Sequence, residues 1–180
     1  MPEYRRNLVA GGTYFFTLNL HDRSQTLLVE HIAVLRTAVR RVHTARPFQI
    51  DAWVVLPDHL HALWTLPADD ADYRYRWQAI KMAFSKALPK GERLSASRQT
   101  RSERGIWQRR YWEHTIRDDR DFAIHMDYIH FNPVKHGLVE APSDWPFSSF
   151  HRAVEVGTYP PNWSGTDADE TPRGERPTAP

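Results

Sequence analysis

Short runs of apolar and aromatic residues predict four strands in this chain. They lie at 13–20, 48–56, 59–66 and 106–116, and their content of aromatic and β-branched residues is typical of strands. Gly11 and Gly12 precede the first run. Only Pro57 and Asp58 separate the second run from the third, so we expect these two strands to form a hairpin.

Apolar residues spaced three or four positions apart predict three helices. The first covers 27–42 and the second 77–88, with Ile80, Phe84 and Leu88 on one face of the second. The third begins at Asp118-Asp119, which can cap a helix, and runs to about Phe131. We expect it to stop at Asn132-Pro133, because proline disfavours a helical conformation in the residue before it.

The order of these elements is β-α-β-β-α-β followed by a final helix. This order predicts the α+β class: a ferredoxin-like antiparallel sheet with helices on one face, plus a C-terminal helix. We expect one domain over residues 1–153. Residues 154–180 are rich in Pro, Gly, Thr and charge, which is typical of a mobile tail, and the polar segment 89–103 predicts a second mobile stretch.

Composition narrows the possible chemistry. The 180 residues include no cysteine, which excludes disulfides and thiolate metal sites. The first 16 residues lack the apolar run of a secretion signal or membrane span, so we expect a cytoplasmic protein without a membrane partner. The sequence has no Gly-rich phosphate loop and therefore predicts no nucleotide cofactor.

Positive charge is concentrated in the middle of the chain. The net charge is only +2, but residues 73–112 hold 11 Lys and Arg against Glu92 and Glu103, a local balance of +9. Such a cluster suits a polyanion. The alternative is an ordinary solvated helix face beside a charged loop.

The segment His59-Leu60-His61 places two histidines on the third predicted strand. Side chains alternate between the faces of a strand, so Leu60 and its apolar partners point to the core while His59 and His61 point together to the other face. Two such imidazoles can reach one metal ion, which needs a third ligand. The alternative is an exposed histidine pair without a function.

The last predicted helix offers a candidate for that third ligand. A polar stripe runs along it beside the apolar stripe, with members three or four residues apart: Asp121, His125, Tyr128 and Asn132. Simpler interpretations stay open for each. Tyr128 can cover the edge of the core, Asn132 can end the helix, and His125 can form a local ion pair with Asp121.

At these residues the chain resembles the REP-associated tyrosine transposases, a branch of the single-tyrosine HUH transposases, in which U is a hydrophobic residue. His59-Leu60-His61 fits the HUH motif, and Tyr128 and Asn132 in YIHFNPVKHGLV fit the tyrosine helix of the family. The runs GGTYFFTLNL, RPFQIDAWVVLPDHLHALWTLP, IWQRRYWEH and SDWPFSSFHR are also similar to the family. The resemblance covers about residues 3–153.

The resemblance implies the HUH endonuclease fold and cleavage of single-stranded DNA beside a short imperfect hairpin, the repetitive extragenic palindrome. Tyr128 would be the nucleophile that forms a 5′-phosphotyrosine, and His59, His61 and Asn132 would hold Mg²⁺ or Mn²⁺. Asn132 stands where the wider group usually has glutamine, which is one methylene longer. Two imidazoles suit Mn²⁺ better than Mg²⁺, which prefers oxygen ligands.

The same function predicts where DNA binds. Basic residues can track the phosphates, and an aromatic and basic strand at 106–116 can stack unpaired bases. The candidate DNA-binding residues are Arg5, Arg6, Lys81, Lys86, Lys90, Trp107, Arg109, Arg110 and Tyr111. Trp107, Arg109 and Tyr111 would share one strand face, and Gln108, Arg110 and Trp112 the other. The alternative is that one of these faces belongs to the core.

Two other functions stay open. The first is a hairpin-DNA-binding module that has lost catalysis, although every expected active-site residue type is present. The second is a small zinc hydrolase that uses His59, His61 and another histidine such as His125 or His130, and it would need a water-activating carboxylate near the site. The sequence is compatible with a monomer or a homodimer.

Overall fold

A computed structural model describes residues 6–91, 96–100 and 103–165. Its four strands form one antiparallel sheet in the order β2-β3-β1-β4, which confirms the predicted ferredoxin-like arrangement. The strands are β1 (Thr13–Asn19), β2 (Gln49–Val55), β3 (His59–Thr65) and β4 (Trp112–Thr115). Strands β3 and β1 are the inner pair, so their backbones are hydrogen-bonded on both sides.

Helices cover both faces of the sheet. The helices of the described residues are α1 (Leu27–Glu30), α2 (Ile32–Ala45), α3 (Tyr73–Ala87), α4 (Ala96–Thr100), α5 (Asp119–Lys135) and α6 (Phe150–Glu155). Helices α2 and α3 pack on one face, where β1 contributes Tyr14 and Phe16. Helix α5 packs on the other face against Phe15 and Leu63. No helix in the described ranges is both long and apolar enough to cross a lipid bilayer.

The first two predicted helices differ from the structure mainly near their N-terminal ends, and α2 also runs three residues further than predicted, to Ala45. The predicted helix 27–42 is interrupted at His31, which separates α1 from α2. Helix α3 begins at Tyr73, one turn earlier than expected, because the side chain of Asp72 caps it by accepting a hydrogen bond from the backbone N–H of Tyr75.

The fourth strand is much shorter than predicted. Only Trp112–Thr115 pair with β1, whereas Trp107 forms an isolated bridge with Leu20. The rings of Trp107 and Tyr111 both pack into the core under α3. The prediction of one continuous strand over 106–116 is therefore wrong, because the chain bends at Arg109 and leaves the ladder with β1 before Trp112.

Helix α5 runs further than predicted. Asp118 caps its start as expected, accepting a hydrogen bond from the backbone N–H of Asp121. The helix then continues through Asn132 and Pro133 to Lys135, so the prediction that it stops at Asn132-Pro133 is wrong. Proline removes one helical donor, but the N–H of His136 still donates to the Asn132 carbonyl oxygen at 3.0 Å and closes the last turn.

The chain beyond residue 153 packs on the body of the protein as far as the structure describes it. Tyr159 and Trp163 form a small apolar cluster with Phe150, and the Tyr159 hydroxyl donates to the carboxylate of Asp127 on α5. The boundary at 153 stays a prediction, and residues 166–180 lie outside the described residues. The segment 89–103, predicted to be mobile, contains α4, and its residues 92–95 and 101–102 also lie outside.

Candidate active site

The two histidines of β3 lie on the face that α5 covers. His59 and His61 alternate with Leu60, which packs in the core on the opposite face, as the strand period predicts. Their ring centres are 5.0 Å apart, with the rings nearly perpendicular. Their exposed fractions are only 2% and 0%, so the alternative of an exposed histidine pair is wrong.

Hydrogen bonds fix the orientation of both rings. Nδ1 of His59 lies 2.7 Å from a carboxylate oxygen of Asp58, and Arg23 donates to the other oxygen of that carboxylate. Nδ1 of His61 lies 2.9 Å from the hydroxyl of Thr17 on the neighbouring strand. When Nδ1 carries the proton toward the carboxylate, Nε2 is the nitrogen with the lone pair. This arrangement is typical of histidines that bind a metal ion.

The charges in the site are consistent with a neutral imidazole beside an anion. Burial lowers the pKa of His59 below its usual value, more than Asp58 raises it. Burial raises the pKa of Asp58, but hydrogen bonds from His59 and Arg23 prevail and lower it to about 2. The unprotonated form of His59 is the form that can coordinate a metal.

Tyr128 and Asn132 on α5, and His136 directly after its last residue, follow one another at intervals of four on the side of these histidines. The ring of Tyr128 lies 5.2 Å from that of His61, and the ring of His136 lies 5.0 Å from that of His59. Residues four apart share one helix face, so Asn132 faces the histidine pair between them.

Asn132 itself is fully buried. Neither its amide oxygen nor its amide nitrogen has a hydrogen-bond partner among the residues that the structure describes. Burial of an amide without hydrogen-bond partners costs free energy, and a ligand that binds to this amide would remove that cost. This orphaned amide is the strongest structural sign that Asn132 belongs to a binding site rather than serving only the helix end.

Tyr128 lies at the edge of the site rather than inside the core. Its side chain is half-buried, and its ring meets that of Phe15 edge-on at 5.8 Å. Nζ of Lys135 lies 3.5 Å from its hydroxyl oxygen and 4.7 Å from its ring centre. The half-buried side chain of Tyr128 thus has a positive charge beside its hydroxyl.

Two imidazoles and an amide oxygen are suitable ligands for a divalent ion of the Mn²⁺ type. Imidazole also suits other transition metals, whereas Mg²⁺ prefers oxygen donors. The orphaned amide of Asn132 beside the oriented histidines is the observation on which this fit depends.

A second histidine cluster does not form a comparable site. His114, Asp121 and His125 place possible ligand atoms within 4.8 Å of one another. However, the rings of His114 and His125 are stacked 13° from parallel, so their lone pairs do not converge on one ion. Asp121 also accepts hydrogen bonds from His114 at 2.8 Å and from Arg117 at 3.1 Å. These residues are better described as an ion-pair network.

The zinc-hydrolase alternative therefore finds its third ligand in neither of the two histidines named for it. His125 is held by the backbone carbonyl oxygen of Asp121 at 2.7 Å. His130 lies 3.0 Å from the hydroxyl of Ser149 and packs against Phe150, on the side of α5 that faces α6. Neither residue is engaged with the histidines of β3.

The predicted DNA-binding residues fall into two groups, apart from Arg5, which lies outside the described residues. One group is part of the protein body. Trp107 is buried, and Lys81 donates to the backbone carbonyl oxygen of Gln108 at 2.8 Å. The guanidinium of Arg6 lies 4.2 Å from the ring centre of Tyr111, which packs on the core. The structure thus has the alternative arrangement, in which the aromatic face of the segment 106–116 belongs to the core.

The other group lies on the surface. Lys86, Lys90, Arg109 and Arg110 are exposed. Arg109 is paired with Glu103 at 2.9 Å and donates to the hydroxyl of Ser97 at 3.0 Å, so it is ordered in place. These four residues keep the charge and access that phosphate contacts need.

The sequence analysis missed several residues of the site. Asp58, Thr17 and Arg23 orient the histidines, and Lys135 and His136 extend the tyrosine stripe. The spacing of Tyr128, Asn132 and His136 would have indicated His136, but the expected helix stop removed it from consideration. Thr17 requires the register between β1 and β3, which the sequence does not specify.

The fold and the site together define a class. An antiparallel ferredoxin-like sheet, a His-hydrophobic-His motif on an inner strand and a tyrosine-bearing helix across that face constitute the HUH endonuclease fold.

Comparison with known proteins identifies the family within this class. The REP-associated tyrosine transposase of Escherichia coli strain K12 is 48% identical over 176 residues, 98% of each chain. A Haemophilus influenzae relative described by the same family name is 48% identical over 166 residues, 92% of this chain and 94% of its own. No protein-family model matches. The chain belongs to the REP-associated tyrosine transposases.

A solved structure agrees with this assignment. The structure of a REP-associated tyrosine transposase bound to a REP hairpin aligns with a TM-score of 0.83 at 47% identity and covers 98% of both chains. The predicted family resemblance and fold class are thereby confirmed.

Proposed function

We propose that this protein is a metal-dependent transposase and endonuclease that binds REP-type DNA hairpins and cleaves and rejoins single-stranded DNA. The proposal rests on the position of Tyr128. Its ring lies 5.2 Å from the ring of His61. Tyr128 also lies one helical turn before Asn132, whose buried amide has no hydrogen-bond partner among the described residues. The nucleophile and the metal ligands thus share one side of the sheet.

His59, His61 and Asn132 would hold Mg²⁺ or Mn²⁺. The ion, when bound, neutralises a phosphate oxygen and orients the phosphate for in-line attack. The Tyr128 oxygen forms a bond to phosphorus as the bond from phosphorus to the 3′ oxygen breaks. The tyrosine proton is lost, and the 3′ oxygen leaves as a hydroxyl after taking up a proton. The product is a 5′-phosphotyrosine, which conserves the phosphodiester energy, so rejoining needs no nucleotide cofactor.

Lys135 supports the same step from the helix. Its ammonium lies beside the Tyr128 oxygen and can stabilise the negative charge that develops there and on the phosphate. The fixed rings of His59 and His61 mean that the ligands need little rearrangement when the ion and DNA bind.

The DNA partner is proposed from the family and the surface charge together. The solved relative is bound to a REP hairpin. Lys86, Lys90, Arg109 and Arg110 offer exposed positive charge for the phosphates of such a hairpin. Arg5 and Arg6 remain candidates for the strand beside it, with Arg6 already held against Tyr111. Both a monomer and a homodimer fit this proposal.

The direct test is formation of a covalent adduct. Labelled single-stranded hairpins from palindromic repeats near the gene are incubated with the protein and Mn²⁺ or Mg²⁺, and denaturing gels are used to detect protein-linked DNA. We expect an adduct that Tyr128→Phe abolishes and that Tyr75→Phe, a change at an exposed tyrosine of α3, leaves intact. Tight hairpin binding without an adduct in either metal would instead favour a binding module that has lost catalysis.

A further inference from the structure

The geometry points to His136 as an additional ligand of the metal ion held by His59, His61 and Asn132. This inference rests on the proposed function, because it extends the metal site proposed there. His136 follows the last residue of α5, and its ring centre is 5.0 Å from that of His59.

The distances between rings agree with shared coordination. A metal ion about 2.1 Å from a ring nitrogen is about 3.2 Å from the ring centre, so two imidazoles bound at about 100° have centres about 5 Å apart. Both the His59–His61 and the His59–His136 pairs have this separation of 5.0 Å. His59 would thus be the central ligand, with one further histidine on either side.

The backbone holds His136 in a defined place. The residue lies one turn after Asn132, and its N–H donates to the Asn132 carbonyl oxygen at 3.0 Å. Gly137, with φ of 66°, then turns the chain out of the helix, and the N–H of Leu138 donates to the Pro133 carbonyl oxygen at 3.0 Å. This is the usual glycine-dependent end of a helix, and it fixes the last turn without side-chain help.

Exposure distinguishes His136 from the other ligands. His59, His61 and Asn132 are buried, whereas His136 is exposed. It would therefore close the solvent side of the ion, where a phosphate oxygen and water must also enter. A third imidazole also compensates for the short reach of Asn132 and favours Mn²⁺ or Co²⁺ over Mg²⁺.

The test measures metal binding to the full chain without DNA. Free Mn²⁺ is followed by electron paramagnetic resonance during titration of the wild type, His136→Ala, His61→Ala and His43→Ala, the last an exposed histidine on the opposite side of the sheet. We expect His136→Ala to weaken Mn²⁺ binding at least about tenfold and His43→Ala to leave it unchanged. The visible spectrum of bound Co²⁺ should also change in His136→Ala.

The possible failures can be told apart. If His61→Ala loses the ion while His136→Ala binds Mn²⁺ and Co²⁺ like the wild type, His136 is not a ligand and the proposed function stands. A loss of DNA cleavage in that case would place His136 on the DNA. If the wild type binds neither ion, or if His61→Ala binds as well as the wild type, the proposed metal site itself is overturned. Circular dichroism melts in a chelator verify that each variant is folded.

Discussion

The ammonium of Lys135 lies 3.5 Å from the hydroxyl oxygen of Tyr128, which precedes it by two turns of α5. The two residues are seven apart, which places them on the same stripe of the helix. Lys135 therefore places a positive charge directly beside the tyrosine oxygen.

Replacement of Lys135 should slow the covalent step more than it weakens DNA binding. We expect Lys135→Met to reduce the single-turnover rate of adduct formation about tenfold or more, because negative charge develops next to this ammonium in the transition state. Lys135→Arg should retain part of the rate. Quenched single-turnover reactions at saturating hairpin measure this rate, and an unchanged rate in Lys135→Met would contradict the assigned role.

Asp58 should control metal affinity without touching the ion. Asp58→Asn removes the carboxylate that orients and polarises His59, so we expect Mn²⁺ binding to weaken about 10- to 100-fold. Isothermal titration of the full chain gives the dissociation constant. Asp144→Asn, at an exposed position away from the site, is the matched control. Equal affinities for the two variants would show that the Asp58–His59 bond is only structural.

The stability of the protein should fall on mild acidification. Burial lowers the pKa of His130 to about 4, whereas the residue titrates near 6.5 in the unfolded chain. On acidification, His130 therefore takes up a proton in the unfolded chain at a higher pH than in the folded protein. As a result, the free energy of unfolding falls as the pH drops from 6.5 toward 4. The loss attributable to His130 by pH 4 is about 3 kcal/mol.

Urea unfolding at several pH values tests this dependence. His130→Gln should reduce the slope of the curve between pH 6.5 and 4, and the slope that remains comes from His59 and His125, whose pKa values burial also lowers. The contributions of Asp58 and Asp121, whose pKa values are lowered to about 2, are lost only as the pH falls from their usual range near 3.8 toward 2. The two effects are thus separated along the pH axis, and an unchanged slope in His130→Gln would contradict the assignment.

Lys81, which is half-buried, should differ from the exposed Lys86 and Lys90 in its effect on DNA binding. Burial lowers the pKa of Lys81 to about 8, and its ammonium already donates to Gln108. We expect Lys86→Gln and Lys90→Gln each to reduce the dependence of hairpin affinity on salt, because each removes an exposed charge that can displace counterions. Lys81→Gln should leave the salt dependence unchanged in fluorescence anisotropy titrations. A reduced slope for Lys81→Gln would place its ammonium on the DNA.

Truncation should show where the stably folded domain ends. A chain that ends at residue 165 keeps Tyr159 and Trp163 on Phe150, whereas a chain that ends at 155 loses both. We expect the shorter chain to be less stable by at least about 2 kcal/mol, from the apolar area exposed, and the longer one to match the full chain. Thermal melts of the three chains test this. Equal stability of the shorter chain would support the boundary predicted at 153.

The sequence predicts the sheet well because its strands are bounded by strong local signals. Gly11-Gly12 and Pro57-Asp58 mark strand ends whatever the tertiary context, and the alternation around Leu60 determines which side His59 and His61 occupy. The errors come where tertiary packing overrides local pattern. Trp107 and Tyr111 do pack on the same side under α3, but the chain bends at Arg109 between them, and only Trp112–Thr115 stay paired with β1.

Pro133 shows the opposite kind of error, in which a strong local signal predicts a helix end that the structure does not have. A proline predicts a stop, yet α5 continues because only one backbone donor is lost and the following turn closes around Asn132. The histidine pair and the tyrosine could thus be named from the sequence. Lys135, His136 and Thr17 could not, because their roles depend on that extra turn and on the pairing of β1 with β3.

The site joins β3 to the final turns of α5, two segments separated by about seventy residues of chain. A ribosome that has made only the first half of the protein has therefore exposed both histidines but neither the tyrosine nor the amide that complete the site. The proposed cleavage of DNA would therefore become possible only at the end of synthesis and docking, and unfinished chains that lack α5 should form no covalent adduct with DNA.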